Sequence, residues 1–204
     1  MTANNGKKLK IAITGGIASG KSTVSKIISE LGFRVYSADV IYSQLLENED
    51  FAKKCCDFLG INPLTINGKA TFDRIAAAEK IFEDSSLRLS FNEFTHAHVY
   101  RQIDKIFDIE TGELVFFEVP LLFESGKEDL FDRVIVVKRD IEARVESAAK
   151  RDGKDREYIK KVVKSQFDYD NSLDSRHTII YNDGDKKSLC EKVKKVVEDI
   201  RSTI

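Results

Sequence analysis

Five short runs of aliphatic, β-branched and aromatic residues limit most strongly what this chain can fold into. They occupy residues 9–14, 33–37, 114–119, 133–138 and 178–182. Each run is apolar nearly throughout instead of alternating with polar residues, which is typical of parallel strands covered on both faces. Because helical patterns lie between most of the runs, the sequence predicts an α/β fold with an open parallel sheet.

Two stretches interrupt the alternation of strands and helices. Residues 40–112 contain helical patterns without a convincing strand, which predicts an inserted helical lobe. Residues 140–175 are helical and locally basic. They could form a mobile cationic lid over phosphates or a solvated helix surface, and the charge pattern alone favours the solvated surface. The predicted core then comprises residues 1–39, 113–139 and 176–204.

Composition and charge exclude several classes of protein. With 42% hydrophobic and 33% charged residues the chain is typical of a globular protein, and no stretch approaches the roughly 20 apolar residues of a membrane span. With a net charge of −1, the molecule as a whole has no positive field that would attract nucleic acid or anionic lipid. Cys55, Cys56 and Cys190 lack a C-x-x-C spacing, and the polar residues 1–10 lack a signal-peptide core. We expect a cytoplasmic protein without nucleic-acid or membrane partners; its oligomeric state is not indicated.

The sequence GGIASGKS at residues 15–22 follows the first predicted strand and opens a helical pattern. It fits G-x-x-x-x-G-K-[ST], the phosphate-binding loop or P-loop. Glycines let successive backbone N–H groups point at phosphate oxygens, and the helix N-terminus adds partial positive charge. Lys21 is placed to reach the β- and γ-phosphates, and the Ser22 hydroxyl to bind Mg²⁺. The predicted nucleotide-binding residues are Gly16, Ile17, Ala18, Ser19, Gly20, Lys21, Ser22 and Thr23.

A P-loop indicates a nucleoside triphosphate but does not by itself indicate a kinase. A GTPase should carry N-K-x-D after a late strand, whereas the late runs here lead to KRD at residues 138–140 and NDG at residues 182–184. A motor or transporter ATPase needs a longer chain. A chain of 204 residues with a helical insertion therefore favours a small-molecule kinase.

Acidic residues follow two of the predicted strands, and each has two interpretations. Asp39 follows the second run with one residue between, on the rim of the sheet that carries the P-loop. It could accept the proton of an attacking hydroxyl there, or it could equally cap the next helix. In EVPLLFE at residues 118–124, Glu118 could orient Mg²⁺ or its waters and the apolar residues could line an adenine ring. Alternatively, the segment could be buried packing, with Glu124 capping a helix. His96 and His98 point about 200° apart on a helix, so they cannot share a metal and are more often packing or surface residues.

Taken together, these segments resemble the dephospho-CoA kinase family across nearly the whole chain. ITGGIASGKS at residues 13–22 is similar to the family's T-G-G-I-x-S-G-K-S, and VPLLFE at residues 119–124 to its distinctive P-L-L-F-E. Shorter matches are SAD at 37–39, DR at 73–74 with IF at 81–82, TH at 95–96, Arg151-Asp152, Gln166 and Asn182. The resemblance implies a P-loop NTPase fold with a five-stranded parallel sheet of order 2-3-1-4-5, a helical CoA lobe and a helical lid.

The resemblance also implies a reaction and roles for single residues. The family transfers the γ-phosphoryl group of ATP to the 3′-hydroxyl of dephospho-CoA, giving CoA and ADP in the last step of coenzyme A biosynthesis. Asp39 would be the base, and Lys21 and Arg151 would act on the ATP phosphates, with Arg151 more important than Arg144. Asn182 would lie near the ATP adenine. The residues implied to bind the acceptor are Asp39, Arg74, His96, Pro120, Leu121 and Leu122.

Several positions depart from the family pattern. Ala18 replaces a frequent Gly, which should be mild because Ala still leaves room, and Ala97 replaces a Pro. Ser147 stands in place of the first lid arginine, with Arg144 or Lys150 as possible replacements; Ser172 and Arg176 also differ. Two alternatives therefore stay open: a kinase for another nucleoside or small hydroxyl compound, and a nucleotide-binding regulator with weakened catalysis. The intact P-loop, Asp39 and Arg151 argue against the regulator.

Overall fold

The computed structural model describes residues 8–169 and 177–204. Ser172, Arg176 and the end of the predicted lid lie outside these described residues. The chain divides into two compact units at Ser37/Ala38 and at Ile109/Glu110. We call the unit that contains the termini the core unit and the inserted one the helical unit. From sequence, the corresponding boundaries are at residues 40 and 112.

The core unit contains a five-stranded parallel sheet. Its strands are β1 (Leu9–Thr14), β2 (Arg34–Ser37), β5 (Leu114–Glu118), β6 (Arg133–Lys138) and β7 (His177–Tyr181). They lie in the order β2-β5-β1-β6-β7, which is 2-3-1-4-5 when these strands alone are counted along the chain. The predicted fold class and strand order are confirmed. The first and last residues of each predicted run lie within one residue of the ends of an observed strand.

Two helices of the core unit share an apolar core with the sheet. Helices α1 (Lys21–Glu30) and α8 (Lys186–Arg201) contribute buried side chains to the same cluster as the strands. Ile11 and Phe116 in the middle of that cluster are fully buried. Burying such side chains in place of water stabilises the fold by about 1.5–3 kcal/mol each, so the nearly continuous apolar runs follow from their central place in the sheet.

The predicted lid contains two helices, α6 (Ile141–Asp152) and α7 (Arg156–Ser165). Asp140 begins α6 by accepting a hydrogen bond from the Ala143 N–H at 2.9 Å, and Asp155 begins α7 in the same way with Glu157. These side chains bind N–H groups that have no partner within the helix, which fixes where each helix begins. A short 3-10 helix, Glu128–Leu130, precedes β6.

The helical unit has an apolar core of its own. Its helices are α2 (Ala38–Glu47), α3 (Glu49–Leu59), α4 (Arg74–Glu83) and α5 (Ser85–Ile109). That core includes stacked aromatic rings: the ring centroids of Phe51 and Phe94 are 6.3 Å apart, and those of Phe72 and Phe91 are 6.1 Å apart. Aromatic pairs at such separations stabilise beyond their buried area, so the unit has its own source of stability.

The expectation that residues 40–112 lack strands is wrong. The helical unit contains a two-stranded antiparallel hairpin, β3 (Leu64–Ile66) and β4 (Lys69–Thr71). Asn67 and Gly68 form its turn with φ angles of 52° and 77°, the left-handed conformation that Asn-Gly adopts readily in hairpins. The strands are only three residues long, and in β3 Leu64 and Ile66 are about half exposed, so the hairpin has no buried apolar run to indicate it.

Among the described residues, no helix is both long enough and apolar enough to cross a membrane.

Candidate active site

The P-loop lies between β1 and α1, as the motif predicts. Gly20 has φ 100°, and a Cβ atom built on it would lie 2.2 Å from Nδ2 of Asn182, so both the backbone conformation and the close approach require glycine. Asn182 follows β7 and donates a hydrogen bond from Nδ2 to the Ser19 carbonyl at 2.9 Å. Residue 182, predicted to lie near the adenine, therefore also holds the loop backbone.

Ala18 has φ 54°, in the left-handed region that glycine adopts without strain. The expectation that replacing Gly by Ala18 has a mild effect considers only the room for a methyl group. The backbone conformation is the larger cost. A non-glycine residue in this region costs about 1–2 kcal/mol, which the surrounding structure must offset. Packing supplies part of this, because Ile17 and Ala18 lie against a buried cluster of the lid helices, Val145, Ala148 and Ile159.

Lys21 folds back over the loop that precedes it. Its Nζ donates hydrogen bonds to the carbonyl oxygens of Gly15 at 2.8 Å and of Gly16 at 3.1 Å. The ammonium group is therefore held at the loop by backbone acceptors. A cation placed there can stabilise the negative charge of nucleotide phosphates.

Ser22, in the first turn of α1, meets the last residue of β5. The Ser22 hydroxyl donates a hydrogen bond to Oε1 of Glu118 at 2.8 Å. The strands bring them together, because Glu118 pairs with Ile13 of β1 just before the P-loop. From sequence, Glu118 can be a metal-orienting carboxylate or a packing residue, and the predicted site does not include it. Its signal in the sequence is an acidic residue ending an apolar strand.

The predicted lid segment contacts the P-loop through hydrogen bonds of Arg144 and Gln166. Arg144 is 8% exposed, and its Nε donates to the Ile17 carbonyl at 3.0 Å. Arg151 instead binds its neighbour Asp152 at 2.7 and 2.9 Å, with 60% of its side chain exposed. The role that the resemblance implies for Arg151, acting on the ATP phosphates, stays a prediction. Residues 144 and 151 are seven apart on α6 and share a helix face, so spacing alone does not separate them.

A small cavity of about 170 Å³ lies beside Asn182 in the core unit. It is lined by Arg139, Asp140, Ala143, Asn182, Asp183 and Gly184. Arg139 donates a hydrogen bond from Nη1 to the Ser147 hydroxyl at 3.0 Å. Ser147, the position where the family pattern has an arginine, therefore accepts a hydrogen bond from the guanidinium of Arg139, which directly follows β6.

The PLLFE segment of the core unit carries both exposed and buried residues. Leu122 is fully buried, whereas Leu121 is 43% exposed, so Leu121 is the leucine whose side chain can meet a ligand directly. Phe123 stacks on Phe167 with ring centroids 4.4 Å apart, and Glu124 accepts a hydrogen bond from the Phe167 N–H at 3.0 Å. These two contacts fasten the chain after α7 to the segment.

Tyr169 belongs to the same aromatic group, since its ring meets Phe123 and Phe167 edge-on. Burial, and after it the nearby Glu124 carboxylate, raise the pKa of Tyr169 to about 12. The phenol therefore stays protonated and neutral at physiological pH.

Three residues implied to bind the acceptor lie in the helical unit. Asp39 is exposed in the first turn of α2; because that helix begins at Ala38, Asp39 does not occupy the capping position considered for it. Arg74 is exposed at the start of α4, where Asp73 caps the helix. His96 lies on α5, and burial lowers the pKa of its imidazole, so it is mainly neutral at pH 7 and offers a hydrogen bond rather than a charge.

The sheet order, the P-loop after its central strand, and Ser22 beside a carboxylate define the class: a P-loop kinase fold. Shikimate kinase from Acinetobacter baumannii has this fold, with a TM-score of 0.54 at 13% identity over 95% of each chain. The family model for dephospho-CoA kinase matches residues 9–188. This chain belongs to the dephospho-CoA kinase family.

Relatives and solved structures agree with that membership. The dephospho-CoA kinase of Fusobacterium nucleatum is 34% identical over 190 residues, covering 93% of this chain and 97% of the relative. That of Bacillus licheniformis is 34% identical over 183 residues, covering 88% and 90%. The structure of dephospho-CoA kinase from Campylobacter jejuni superposes with a TM-score of 0.68 at 29% identity, covering 96% of this chain and 98% of the other.

Proposed function

We propose that this chain transfers the γ-phosphoryl group of ATP to the 3′-hydroxyl of dephospho-CoA, releasing CoA and ADP. The observation that carries the proposal is the P-loop, with Lys21 held at its carbonyls and Ser22 beside Glu118, in a chain that matches the family over residues 9–188. These contacts supply what phosphoryl transfer needs, which is positioning and electrostatic stabilisation of the transferred group.

On the nucleotide side, the loop backbone from Gly16 to Thr23 cradles the ATP phosphates and Lys21 neutralises their charge. The adenine lies towards the cavity beside Asn182, whose amide also holds the loop at Ser19. Preorganised donors of this kind stabilise developing negative charge without rearranging during the reaction.

The residues around Ser22 suit a magnesium ion brought in with ATP. Mg²⁺ prefers oxygen ligands and is usually held by one or two protein groups together with substrate phosphates. The Ser22 hydroxyl and the Glu118 carboxylate, 2.8 Å apart, provide this kind of donor set. When bound there, the ion would neutralise charge on the β- and γ-phosphates.

On the acceptor side, Asp39 takes the proton of the 3′-hydroxyl. Arg74 supplies a cation for the acceptor's phosphates, and His96 a neutral hydrogen-bonding group. Pro120 and Leu121 offer apolar surface to the adenosine of dephospho-CoA, while the buried Leu122 keeps the segment in place. We also propose that the protein acts in the cytoplasm, which suits its three free cysteines.

The acceptor decides between the proposed reaction and its alternatives. ADP release should be measured with dephospho-CoA, adenosine and pantetheine, and the products identified by mass. We expect ADP and CoA in equal amounts with dephospho-CoA and only background release with the others. Turnover of adenosine above that of dephospho-CoA would instead indicate a nucleoside kinase. ATP binding without turnover of any acceptor would indicate a nucleotide-binding regulator.

A further inference from the structure

We infer that Arg144 and Gln166 together act as a clamp that holds the P-loop in its ATP-binding conformation. Arg144 is a positioning residue in this inference, because it acts through the backbone of Ile17. The inference deepens the proposed function and rests on its nucleotide half alone. It also assigns the replacement for the arginine missing at Ser147 to Arg144 rather than to Lys150.

Three hydrogen bonds form the clamp. The Ile17 N–H donates to Oε1 of Gln166 at 2.8 Å, and Nε of Arg144 donates to the Ile17 carbonyl at 3.0 Å. Nη2 of Arg144 also donates to Oε1 of Gln166 at 3.2 Å. Both polar groups of the Ile17 backbone are therefore bound by side chains of the lid segment, and those side chains bind each other. Hydrogen bonds that involve a charged donor are the stronger kind.

Steric fit shows how closely the guanidinium approaches the loop. A Cβ atom built on Gly16 would lie 2.0 Å from Nη2 of Arg144, so any side chain at position 16 would displace the guanidinium. Arg144 is also buried, with 8% of its surface exposed. A lysine could not replace it fully, because its ammonium group is a single compact donor and lacks the planar fork by which Nε and Nη2 of Arg144 reach two acceptors at separate positions.

The lid sequence explains why position 144 rather than position 151 meets the loop. Val145 and Ala148 pack with Ile17 and Ala18, which places the first half of α6 against the P-loop. Arg151 lies two turns later, about 10 Å along the helix axis. The Ser147 hydroxyl, one turn after Arg144, is already bound by Arg139.

The test is the affinity for MgATP, measured by calorimetric titration of the folded proteins without an acceptor. We expect Arg144→Ala to raise the Kd for MgATP by about tenfold or more, the effect typical of losing hydrogen bonds to a charged group. The KM for dephospho-CoA should change less than twofold, because the clamp contacts only the nucleotide loop. Gln166→Ala should weaken MgATP binding in the same direction.

Arg156→Ala is the matched control, since Arg156 is an arginine of the same lid whose ion pair with Glu142 is exposed. It should bind MgATP as the unchanged protein does. Equal Kd values for Arg144→Ala and Arg156→Ala would overturn the inference. So would a lower melting temperature for Arg144→Ala with unchanged MgATP affinity, which is the result of a purely structural role. If Arg144→Ala does not fold, Arg144→Lys decides on the same readout, and affinity equal to that of the unchanged protein would also refute the clamp.

Gly16→Ala provides an independent test from the other side of the contact. Its methyl group should displace the guanidinium and weaken MgATP binding by about as much as Arg144→Ala. In the double variant the two losses should not add, because the second change removes a contact already lost. Fully additive losses would contradict the clamp. The unchanged protein could bind MgATP and fail to phosphorylate dephospho-CoA, while the clamp variants lose MgATP binding. That result would reject the proposed acceptor and still support the clamp.

Discussion

Replacing Lys21 with alanine is expected to reduce turnover of ATP and dephospho-CoA by roughly 10²–10³-fold, the usual cost of losing one preorganised group that stabilises transition-state charge. The physical reason is the place of Nζ, held 2.8 Å from the Gly15 carbonyl and 3.1 Å from that of Gly16. If ATP binds as proposed, negative charge that develops on its phosphates then loses a cation held at the loop. Steady-state kinetics at saturating substrate measure the effect.

The fold should survive this change, because Lys21 is not among the residues of the apolar core. Each lost hydrogen bond from its charged donor costs about 1.5–3 kcal/mol. Lys26→Ala is a suitable control, since Lys26 lies on the same helix but is exposed beside Glu30. Its turnover should match that of the unchanged protein. Near-normal turnover in a properly folded Lys21→Ala protein would rule out the role assigned to Lys21.

Replacing Asp39 with asparagine is expected to preserve binding of ATP and dephospho-CoA and to remove most of the chemistry. Asn has nearly the same shape and can still bind the hydroxyl, but it cannot accept its proton. General-base contributions are roughly 10²–10⁴-fold. We expect the lower end of this range, because phosphoryl transfer passes through a loose transition state that needs little early deprotonation. Single-turnover measurements with both substrates bound isolate this step.

The alternative for Asp39 is a favourable interaction with the N-terminus of α2, because the carboxylate lies in the first turn of that helix. Such an interaction contributes about 0.3–1 kcal/mol to stability and nothing to turnover. Asp50→Asn is the matched control: Asp50 is an exposed acidic residue in the first turn of α3, in the same unit. Equal small losses of stability in both variants, with full activity in Asp39→Asn, would leave Asp39 as a helix-stabilising residue only.

The sheet could be predicted because its strands are continuous apolar runs, a property that each run shows by itself. Their order in space could not be worked out from the runs, since it depends on how the crossovers pack, and it came from the resemblance to a family. The hairpin at Asn67 and Gly68 was missed because its three-residue strands bury too little to leave an apolar pattern. There the turn sequence was the only local signal.

In the candidate site too, residues that are neighbours in sequence could be predicted, whereas contacts between residues far apart in the chain could not. The P-loop residues follow one another along the chain, so their spacing alone predicted them. The contact between Ser22 and Glu118 depends on the register of β5 against β1, which no local pattern encodes. Arg144 and Arg151 share a helix face, so only the packing of α6 against Ile17 shows which of them meets the loop.

The central place of β1 has a consequence for how the chain acquires its structure. The strands that flank β1 begin at Leu114 and Arg133, so β1 has no partner until about 100 further residues have been synthesised. The helical unit, made in that interval, can form local contacts within its own core. We therefore expect β1, with four of its six residues fully buried in the finished sheet, to be the segment most prone to aggregation in a partly synthesised or refolding chain.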